Sequence, residues 1–289
     1  MTRIVKLFSS FYKIFQTLSL DVVIGVLAIS FFASKLLDVE AKPIWLLILV
    51  LATWSFYTID HLIDGNKSKG KSTIFRHQFH FNNKIILGTF AIICGVTALI
   101  LSLLFLNPQI IQLGILMGLL VLIYFMVLKF FGNKKLLFLQ KEIIIASVYV
   151  VGIWLAPLVW TGKIPDIFTI AVIIVLFLLA WAEGIMASWF DYENDLNEKH
   201  NSFTVLFGKQ NTRRFLIILH ILIFIIVKIS VFFVTSNIQF FAMLILALMN
   251  LSLLMIILSP KYFTNSNRYR VFGEITFWLP ILIFFADLF

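Results

Sequence analysis

Apolar runs long enough to cross a lipid bilayer dominate this chain and limit what it can fold into. A helix needs about 20 apolar residues to span the hydrocarbon core. About nine such runs follow one another through the 289 residues, and charged residues make up only 13% of the sequence, against about 25% in soluble domains. The sequence therefore predicts an all-α polytopic membrane protein with about nine transmembrane helices, at 22–37, 43–63, 85–106, 109–131, 143–161, 167–190, 215–234, 238–258 and 271–289.

The distribution of positive charge predicts how these helices are oriented. If the odd-numbered spans run outward from the cytoplasm, all but four of the 23 Lys and Arg fall on the cytoplasmic side, as the positive-inside rule requires. The net charge of +9 is thus explained by topology and indicates no nucleic-acid partner. We expect a multi-pass protein of the cytoplasmic (inner) membrane, with its N-terminus inside and its C-terminus outside. The four exceptions are Lys35, Lys42, Lys163 and Lys228.

Two aspartate pairs interrupt the apolar pattern at matching places. Asp60 and Asp64 close the second run, and Asp191 and Asp195 close the sixth. Because the pairs are four spans apart, we expect one transmembrane domain of two four-helix units, about 20–131 and 136–258, plus a final helix at 271–289. The polar stretch after each pair predicts a cytoplasmic loop, and Gly, Asn, Ser and Lys make the first, 64–84, a mobile one. The first 20 residues are expected to form an amphipathic interfacial helix.

The spacing within each pair carries a chemical implication. Residues four apart share one helix face, so the two carboxylates of each pair repel each other. They also lie near a helix C-terminus, where the macrodipole favours cations. Single aspartates of this kind are commonly just solvated, but two matched pairs favour a bound divalent cation, which reverses the cost. Mg²⁺ held by carboxylates is usually shared with a substrate phosphate, so a phosphate-bearing substrate is expected.

Basic residues surround both pairs on the cytoplasmic side. Most of them are explained by topology alone, but a few could clamp a diphosphate. The candidates for substrate contact are Lys71, Arg76, Lys129, Lys141 and Lys199.

The residues around the pairs resemble the UbiA superfamily of intramembrane prenyltransferases. That family has an aspartate-rich motif after its second span, and "FYTIDHLID" matches the last two acidic positions of the motif with Asp60 and Asp64. A second family motif, Asp-x-x-x-Asp with a Gly-terminated tail, matches "DYENDLNEKHNSFTVLFG" through Asp191, Asp195 and Gly208. The resemblance extends over the whole chain in span count, motif placement and orientation.

The chain departs from the family pattern at several positions. Phe56 and Tyr57 stand where the family has Asn and Asp, which removes a usual metal ligand. Thr204 replaces the Pro of the tail, and Lys199 replaces a usual Gly. Tyr57 is a candidate to fill the space of the lost Asp and to hydrogen-bond a substrate.

The resemblance implies a Mg²⁺-dependent prenyltransferase. In such an enzyme Mg²⁺ would bridge the four aspartates and a polyprenyl diphosphate, and a small, often aromatic acceptor would capture the allylic carbocation in a lipid-accessible cavity. The alternative is a UbiA-like membrane protein that binds a lipid diphosphate without turnover, since the first motif is altered. A transporter is a third hypothesis, and it requires ionisable groups near the bilayer centre.

A few polar residues lie outside the motifs. Glu183 is two turns deeper than Asp191 in the sixth span, where a charge is costly. It could orient or deprotonate the acceptor, or pair with a polar group for helix packing. Lys228 is placed mid-span in the seventh run and is a weaker functional candidate. His77 and His80 have spacing that could hold a metal, although phosphate contact or solvation is favoured.

Overall fold

The computed structural model describes residues 12–67, 74–131, 141–198 and 202–288, and within these ranges the chain is entirely helical. Residues 12–17 are helical and lead into the first long helix. The long helices are α1 (Leu20–Leu36), α2 (Pro43–Lys67), α4 (Lys84–Phe105), α5 (Pro108–Phe131), α6 (Lys141–Thr161), α7 (Ile167–Phe190), α10 (Lys209–Ser230) and α11 (Asn237–Leu258). The short helices are α3 (Phe75–Asn82), α8 (Tyr192–Asn197), α9 (Phe203–Phe207), α12 (Pro260–Thr264) and α13 (Arg268–Thr276), with 3-10 turns at Val231–Phe233, Asn265–Asn267 and Leu279–Leu288.

Each apolar run of the sequence corresponds to one long element, which confirms the predicted all-α membrane architecture. Within the described residues, seven helical segments are long and apolar enough to cross a membrane. The remaining runs correspond to α1, which has 17 residues, and to α5, whose apolar part is described over Pro108–Ile123. Large apolar side chains on α4 and α5 are exposed, as expected of surfaces that face lipid.

A core of interdigitated aliphatic side chains holds the long helices together. Helix α7 supplies much of it, because it packs against α6, α10 and α11. Its buried residues include Val172, Leu176 and Leu179, each at most 1% exposed. The final segment packs against both α1 and α11, so it joins the two ends of the chain rather than lying apart from the bundle.

The ninth span is not the continuous α-helix that the sequence predicted over 271–289. An α-helical part, α13, ends at Thr276, and a 3-10 segment follows from Leu279 to Leu288. The indole Nε1 of Trp278, at the break, donates a hydrogen bond of 2.9 Å to the carbonyl oxygen of Asp21. The break is thus tied to the start of α1.

The polar stretch after the first aspartate pair is partly structured, which corrects the prediction of a mobile loop over 64–84. Residues Phe75–Asn82 form α3, which packs against α2. His77 and His80 are buried, at 7% and 1% exposed, so the expectation that they are solvated is wrong. Residues 68–73 lie outside the described part of the chain.

One expectation about intramembrane charge is also corrected. Lys228 lies in the last turn of α10 with an exposed side chain, so it is not a mid-span group and can extend toward the headgroups. Asp21, Glu142 and Glu274 are ionisable residues within the long elements or at their ends, besides Glu183. Glu183 is therefore accompanied by ionisable residues that the sequence analysis did not identify.

Side-chain hydrogen bonds hold the polar stretch after the second aspartate pair on the end of α7. The hydroxyls of Ser188 and Thr204 are 2.9 Å apart, and the backbone N–H of Phe203 donates to Glu142 Oε1 at 2.8 Å. Gly208 then joins α9 to α10 with φ 82° and ψ 150°. Only glycine adopts this backbone conformation at low cost.

We expect Gly208→Ala to lower the free energy of unfolding by about 1–3 kcal/mol, because a Cβ at this φ is strained. Thermal unfolding of the purified protein in detergent measures the change. Gly152→Ala is the matched control, since Gly152 lies inside α6 without a positive φ and a Cβ there would meet no atom within 4 Å. Equal stability of the two variants would contradict the role given to Gly208.

We expect Gly65→Ala to displace α3, because an added Cβ would lie 2.7 Å from the carbonyl oxygen of His77. Such overpacking costs about 1–3 kcal/mol. Limited proteolysis should cut the 68–83 stretch faster in this variant than in the wild type. Gly88→Ala is the control, since its Cβ would meet only a Leu62 methyl at 3.7 Å, and it should be cut at the wild-type rate.

Candidate functional site

The first aspartate pair converges on one cation. The Nζ atom of Lys141, the first residue of α6, lies 2.9 Å from Asp60 Oδ2 and 2.7 Å from Asp64 Oδ2. Both carboxylates are buried, at 6% and 7% exposed. The ammonium group offsets the repulsion between two carboxylates one turn apart, and it anchors the end of α2 to α6.

The second pair makes a different set of contacts. Asp191 ends α7 and pairs with Arg270, while its Oδ1 accepts a hydrogen bond of 2.5 Å from the hydroxyl of Tyr269. The Arg270 Nε also donates to the Tyr269 hydroxyl at 3.1 Å. Tyr269 further stacks on Phe190, with ring centroids 4.3 Å apart. Helix α13 is therefore fixed against the second motif.

Arg76 interacts with members of both pairs. Its guanidinium, carried by α3, interacts electrostatically with Asp60 and with Asp191. Burial lowers the pKa of Arg76, with the positive charge of Arg270 adding to the effect. The two motifs thus face a common region in which Arg76, Lys141 and Arg270 supply positive charge.

A contact joins the two polar stretches that follow the aspartate pairs. His77 Nδ1 lies 3.3 Å from Glu198 Oε2, which joins α3 to the segment after α8. Burial lowers the pKa of His77 to about 4, so the ring is neutral at neutral pH and the contact is a hydrogen bond. Burial raises the pKa of Asp195, on α8, to about 7, and the nearby charge of Asp191 contributes.

The arrangement of carboxylates bears on how metal could bind. Among the described residues, no three His, Cys, Asp or Glu side chains are close enough to hold one ion. The prediction that all four aspartates together hold the metal stays a prediction. Two oxygens of the first pair contact the Lys141 ammonium group. This donor set suits Mg²⁺, which is commonly bound by one or two carboxylates together with substrate phosphates.

A deeper group of polar side chains lies on the membrane side of the motifs. It comprises Asp21, Glu183 and Glu274 together with Tyr57 and Tyr149, and we call it the acidic chamber. The three carboxylates interact electrostatically with one another, and both tyrosines interact with Glu183 and Glu274. The sequence predicted roles for Glu183 and Tyr57. The structure groups them with Asp21, Tyr149 and Glu274, which the sequence analysis did not identify.

Three of the basic candidates cannot be placed. Lys71 and Lys199 lie outside the described residues, and Lys129 is on α5 but its side chain is not described. Lys141 and Arg76 are the two basic candidates that the structure locates, and both face the aspartate pairs.

The residues that sequence reasoning missed had recognisable signals. Arg270 and Glu274 are charged residues at the beginning of a predicted span, and Asp21 directly precedes another. Ionisable residues in or beside membrane spans are functional candidates by default. The predicted spans begin at Val22 and Val271, so Asp21, Tyr269 and Arg270 lie just outside them. Glu274 lies inside the last predicted span and was not identified as a candidate.

Comparisons with solved structures identify relatives of the fold. Two structures of a UbiA homolog from Archaeoglobus fulgidus, one bound to DMAPP and Mg²⁺ and one to GPP and Mg²⁺, each match with a TM-score of 0.62 and 16% identity. Each match covers 93% of this chain and 98% of the homolog. A digeranylgeranylglyceryl phosphate synthase matches with a TM-score of 0.55 and 17% identity, over 93% of this chain and 94% of the synthase.

A comparison with curated proteins finds no match. The model of the UbiA prenyltransferase family matches residues 22–281, which is nearly the whole chain and includes both aspartate pairs. The fold, the span count and the placement of the motifs agree with that match. The chain belongs to the UbiA prenyltransferase family.

Proposed function

We propose that this protein is a Mg²⁺-dependent prenyltransferase that moves an isoprenoid chain from a polyprenyl diphosphate to a small aromatic acceptor within the membrane. The observation that carries the proposal is that the carboxylates of Asp60 and Asp64 both contact the Lys141 ammonium group. Arg76 interacts electrostatically with Asp191 of the second pair. The bound DMAPP and GPP of the Archaeoglobus fulgidus homolog support the choice of donor.

The motif residues have distinct roles in this proposal. Asp60, Asp64, Asp191 and Asp195 would hold the metal. Bound Mg²⁺ would neutralise the diphosphate and so make it a better leaving group. Arg76 and Lys141 contact the diphosphate oxygens, and Lys71, Lys129 and Lys199 remain candidates for the same role.

The chemical step separates charge in a buried site. The allylic C–O bond breaks, its electron pair leaves with the diphosphate, and the acceptor forms a bond to the prenyl carbon and releases one proton. Glu183 lies about 12 Å deeper than Asp191, as its eight-residue separation on one helix gives. At this depth Glu183 can orient the acceptor and take the released proton. Tyr57, which interacts electrostatically with Glu183, is the candidate to hydrogen-bond the acceptor.

The positions of the site residues also bear on the orientation of the chain in the membrane. With the diphosphate site at the cytoplasmic face, the N-terminus lies inside and the C-terminus outside the cell's inner membrane. The Lys35–Asp287 ion pair, 2.8 Å long, marks the opposite end of the bundle, because both residues close elements that begin at the site end. The diphosphate head of the donor then meets the site from the cytoplasmic side, where the basic residues attract it.

A second candidate function is a binder of lipid diphosphate without turnover. The replacement of the family's Asn and Asp by Phe56 and Tyr57 favours it, since a metal ligand is lost. Tight Mg²⁺-dependent binding without product would identify this function. The transporter hypothesis gains ionisable groups at depth, but the family assignment favours prenyl transfer.

We expect the purified protein to release pyrophosphate from an allylic diphosphate only when Mg²⁺ is present. Asp60→Asn and Asp191→Asn should each lower the rate by about 100-fold or more, as the loss of a charge that stabilises the transition state does. A phosphate-release assay coupled to pyrophosphatase measures both effects, with chelation of Mg²⁺ as the first control.

Asp38→Asn is the matched substitution outside the site. Asp38 is exposed on the opposite face with φ 54°, a conformation that Asn also adopts. The Asp38→Asn variant should release pyrophosphate at the wild-type rate. Turnover that is absent across donor lengths and acceptors, or that persists without Mg²⁺, would contradict the proposal.

We expect Glu183→Gln to slow product formation by about 100-fold, the usual contribution of a general base, while leaving Mg²⁺-dependent diphosphate binding unchanged. Single-turnover product formation and equilibrium binding of the diphosphate separate the two effects. Glu40→Gln, at an exposed site on the opposite face, serves as the control. Wild-type turnover in Glu183→Gln would restrict Glu183 to helix packing.

A further inference from the structure

The chain changes direction between the segment that precedes α1 and α1 itself. Residues 12–17 are helical, and Ser19 then adopts φ 55° and ψ 28°. This left-handed conformation interrupts the helix, and a serine keeps it only where the surrounding contacts hold it. We call residues 12–19 the strap.

Two contacts hold the strap against the end of the bundle that carries the aspartate pairs. The Ser19 hydroxyl lies 3.1 Å from Nε2 of His61, which follows Asp60 on α2. The Lys13 ammonium group lies over the ring of Phe75, the first residue of α3, at 3.8 Å from the ring centroid. The strap therefore bridges the helix that carries the first aspartate pair and the short helix beside it.

One face of the strap carries two hydrogen-bond donors that are not used. Tyr12 and Gln16 are four residues apart and therefore share a helix face. The Tyr12 hydroxyl and the Gln16 Nε2 are buried, and neither has a hydrogen-bond partner within the described part of the chain. Lys13 and Ile14 are exposed, so the face that carries Tyr12 and Gln16 is the one turned toward the protein.

Arg76, on α3, supplies a third unused donor in the same region. Its Nε is buried and has no hydrogen-bond partner in the ranges that the structure describes. The Arg76 guanidinium interacts electrostatically with Asp21 and Glu274, and the Tyr12 hydroxyl interacts with the same two side chains. Arg76 is also repelled by the positive charge of Arg270. The strap and α3 thus bring buried donors and an excess of guanidinium charge to one place.

A negatively charged group with several acceptor oxygens suits these donors. A buried donor without a partner costs free energy, and a ligand that accepts its hydrogen bond removes this cost. An anion close to Arg76 and Arg270 also relieves the repulsion between them. A diphosphate meets both conditions, since its oxygens accept several charge-assisted hydrogen bonds at once. The phosphate of an anionic lipid headgroup has the same chemistry, so an experiment must distinguish the two sources.

We propose that the strap forms one wall of the diphosphate site, with Tyr12 and Gln16 as diphosphate-binding residues. The Tyr12 hydroxyl and the Gln16 amide donate hydrogen bonds to phosphate oxygens next to Arg76. Because these donors lie on the strap, a bound diphosphate also holds the strap on the bundle and opposes its opening at Ser19. This inference rests on the proposed function, which supplies the diphosphate.

Limited trypsin digestion of the full-length protein in detergent measures opening of the strap, because Lys13 is an exposed trypsin site within it. The probes are geranyl diphosphate and inorganic pyrophosphate, each with Mg²⁺. At about ten times its dissociation constant, each probe should slow cleavage after Lys13 about tenfold, since it binds the closed strap and not the open one. Cleavage after Lys163, which is exposed between α6 and α7, should keep its rate. Mass spectrometry of the released peptides measures both rates.

Equal rates of cleavage after Lys13 with and without the two probes would overturn the proposal, whatever the variants show. Micelles that contain phosphatidylglycerol but no diphosphate form the second arm, and they should leave the rate unchanged. Protection by phosphatidylglycerol to which neither probe adds would assign the strap to lipid headgroups and would also overturn the proposal.

Tyr12→Phe and Gln16→Met remove the two donors while nearly keeping side-chain volume. The double variant should bind geranyl diphosphate at least about tenfold more weakly, equivalent to about 1.4 kcal/mol. At the ligand concentration used for the wild type, cleavage after Lys13 should then slow only about twofold. Tyr262→Phe with Gln112→Met, both at exposed positions, is the control pair and should keep the wild-type affinity. Wild-type affinity in the double variant would contradict the role given to the strap.

Prenyl transfer, measured on the same preparations, separates this inference from the proposed function. If diphosphate slows cleavage after Lys13 but no acceptor is prenylated, the prenyltransferase proposal fails and the strap stands as a diphosphate-binding element. If product forms while cleavage after Lys13 does not respond to diphosphate, the strap inference fails and the proposed function stands. A wild-type protein that binds neither probe would overturn both.

Discussion

The pairing of buried charges at one end of the helix bundle is the interaction on which the rest of the structure depends. A bilayer offers no water to hydrogen-bond polar groups, so polar atoms inside the bundle must satisfy one another. Lys141 does this for Asp60 and Asp64, and Arg270 with Tyr269 does it for Asp191. These contacts join α2 to α6 and α7 to α13, so the same residues that provide the candidate chemistry also fix the helices that carry them.

Such pairing is weak evidence for stability, because desolvation of the charges offsets much of the attraction. Buried ion pairs are better suited to a site in which charged side chains change their partners when a ligand binds. In the proposed function, diphosphate oxygens would become partners of the Lys141 ammonium group. The aliphatic core around α7, rather than the ion pairs, holds the bundle together when partners change.

The site has two levels with different chemistry. At the end of the bundle that carries the aspartate pairs, carboxylates contact Lys141 and Arg270 and interact with Arg76. Further along α7 and α13, Asp21, Glu183 and Glu274 interact with one another and with Tyr57 and Tyr149. In the proposed function, the donor diphosphate would meet the first group and the acceptor the second.

The sequence by itself determined the helical membrane class, the number of long elements and the two aspartate pairs, because hydrophobic length and i, i+4 spacing are local properties. It also indicated Glu183 and Tyr57, since polar groups in apolar runs are conspicuous. Only the tertiary structure decided that Lys141 joins the first pair, that α3 folds over the site, and that Asp21 and Glu274 meet Glu183. These contacts link residues up to about 250 positions apart in the chain, and their geometry depends on how the helices pack, which no local pattern encodes.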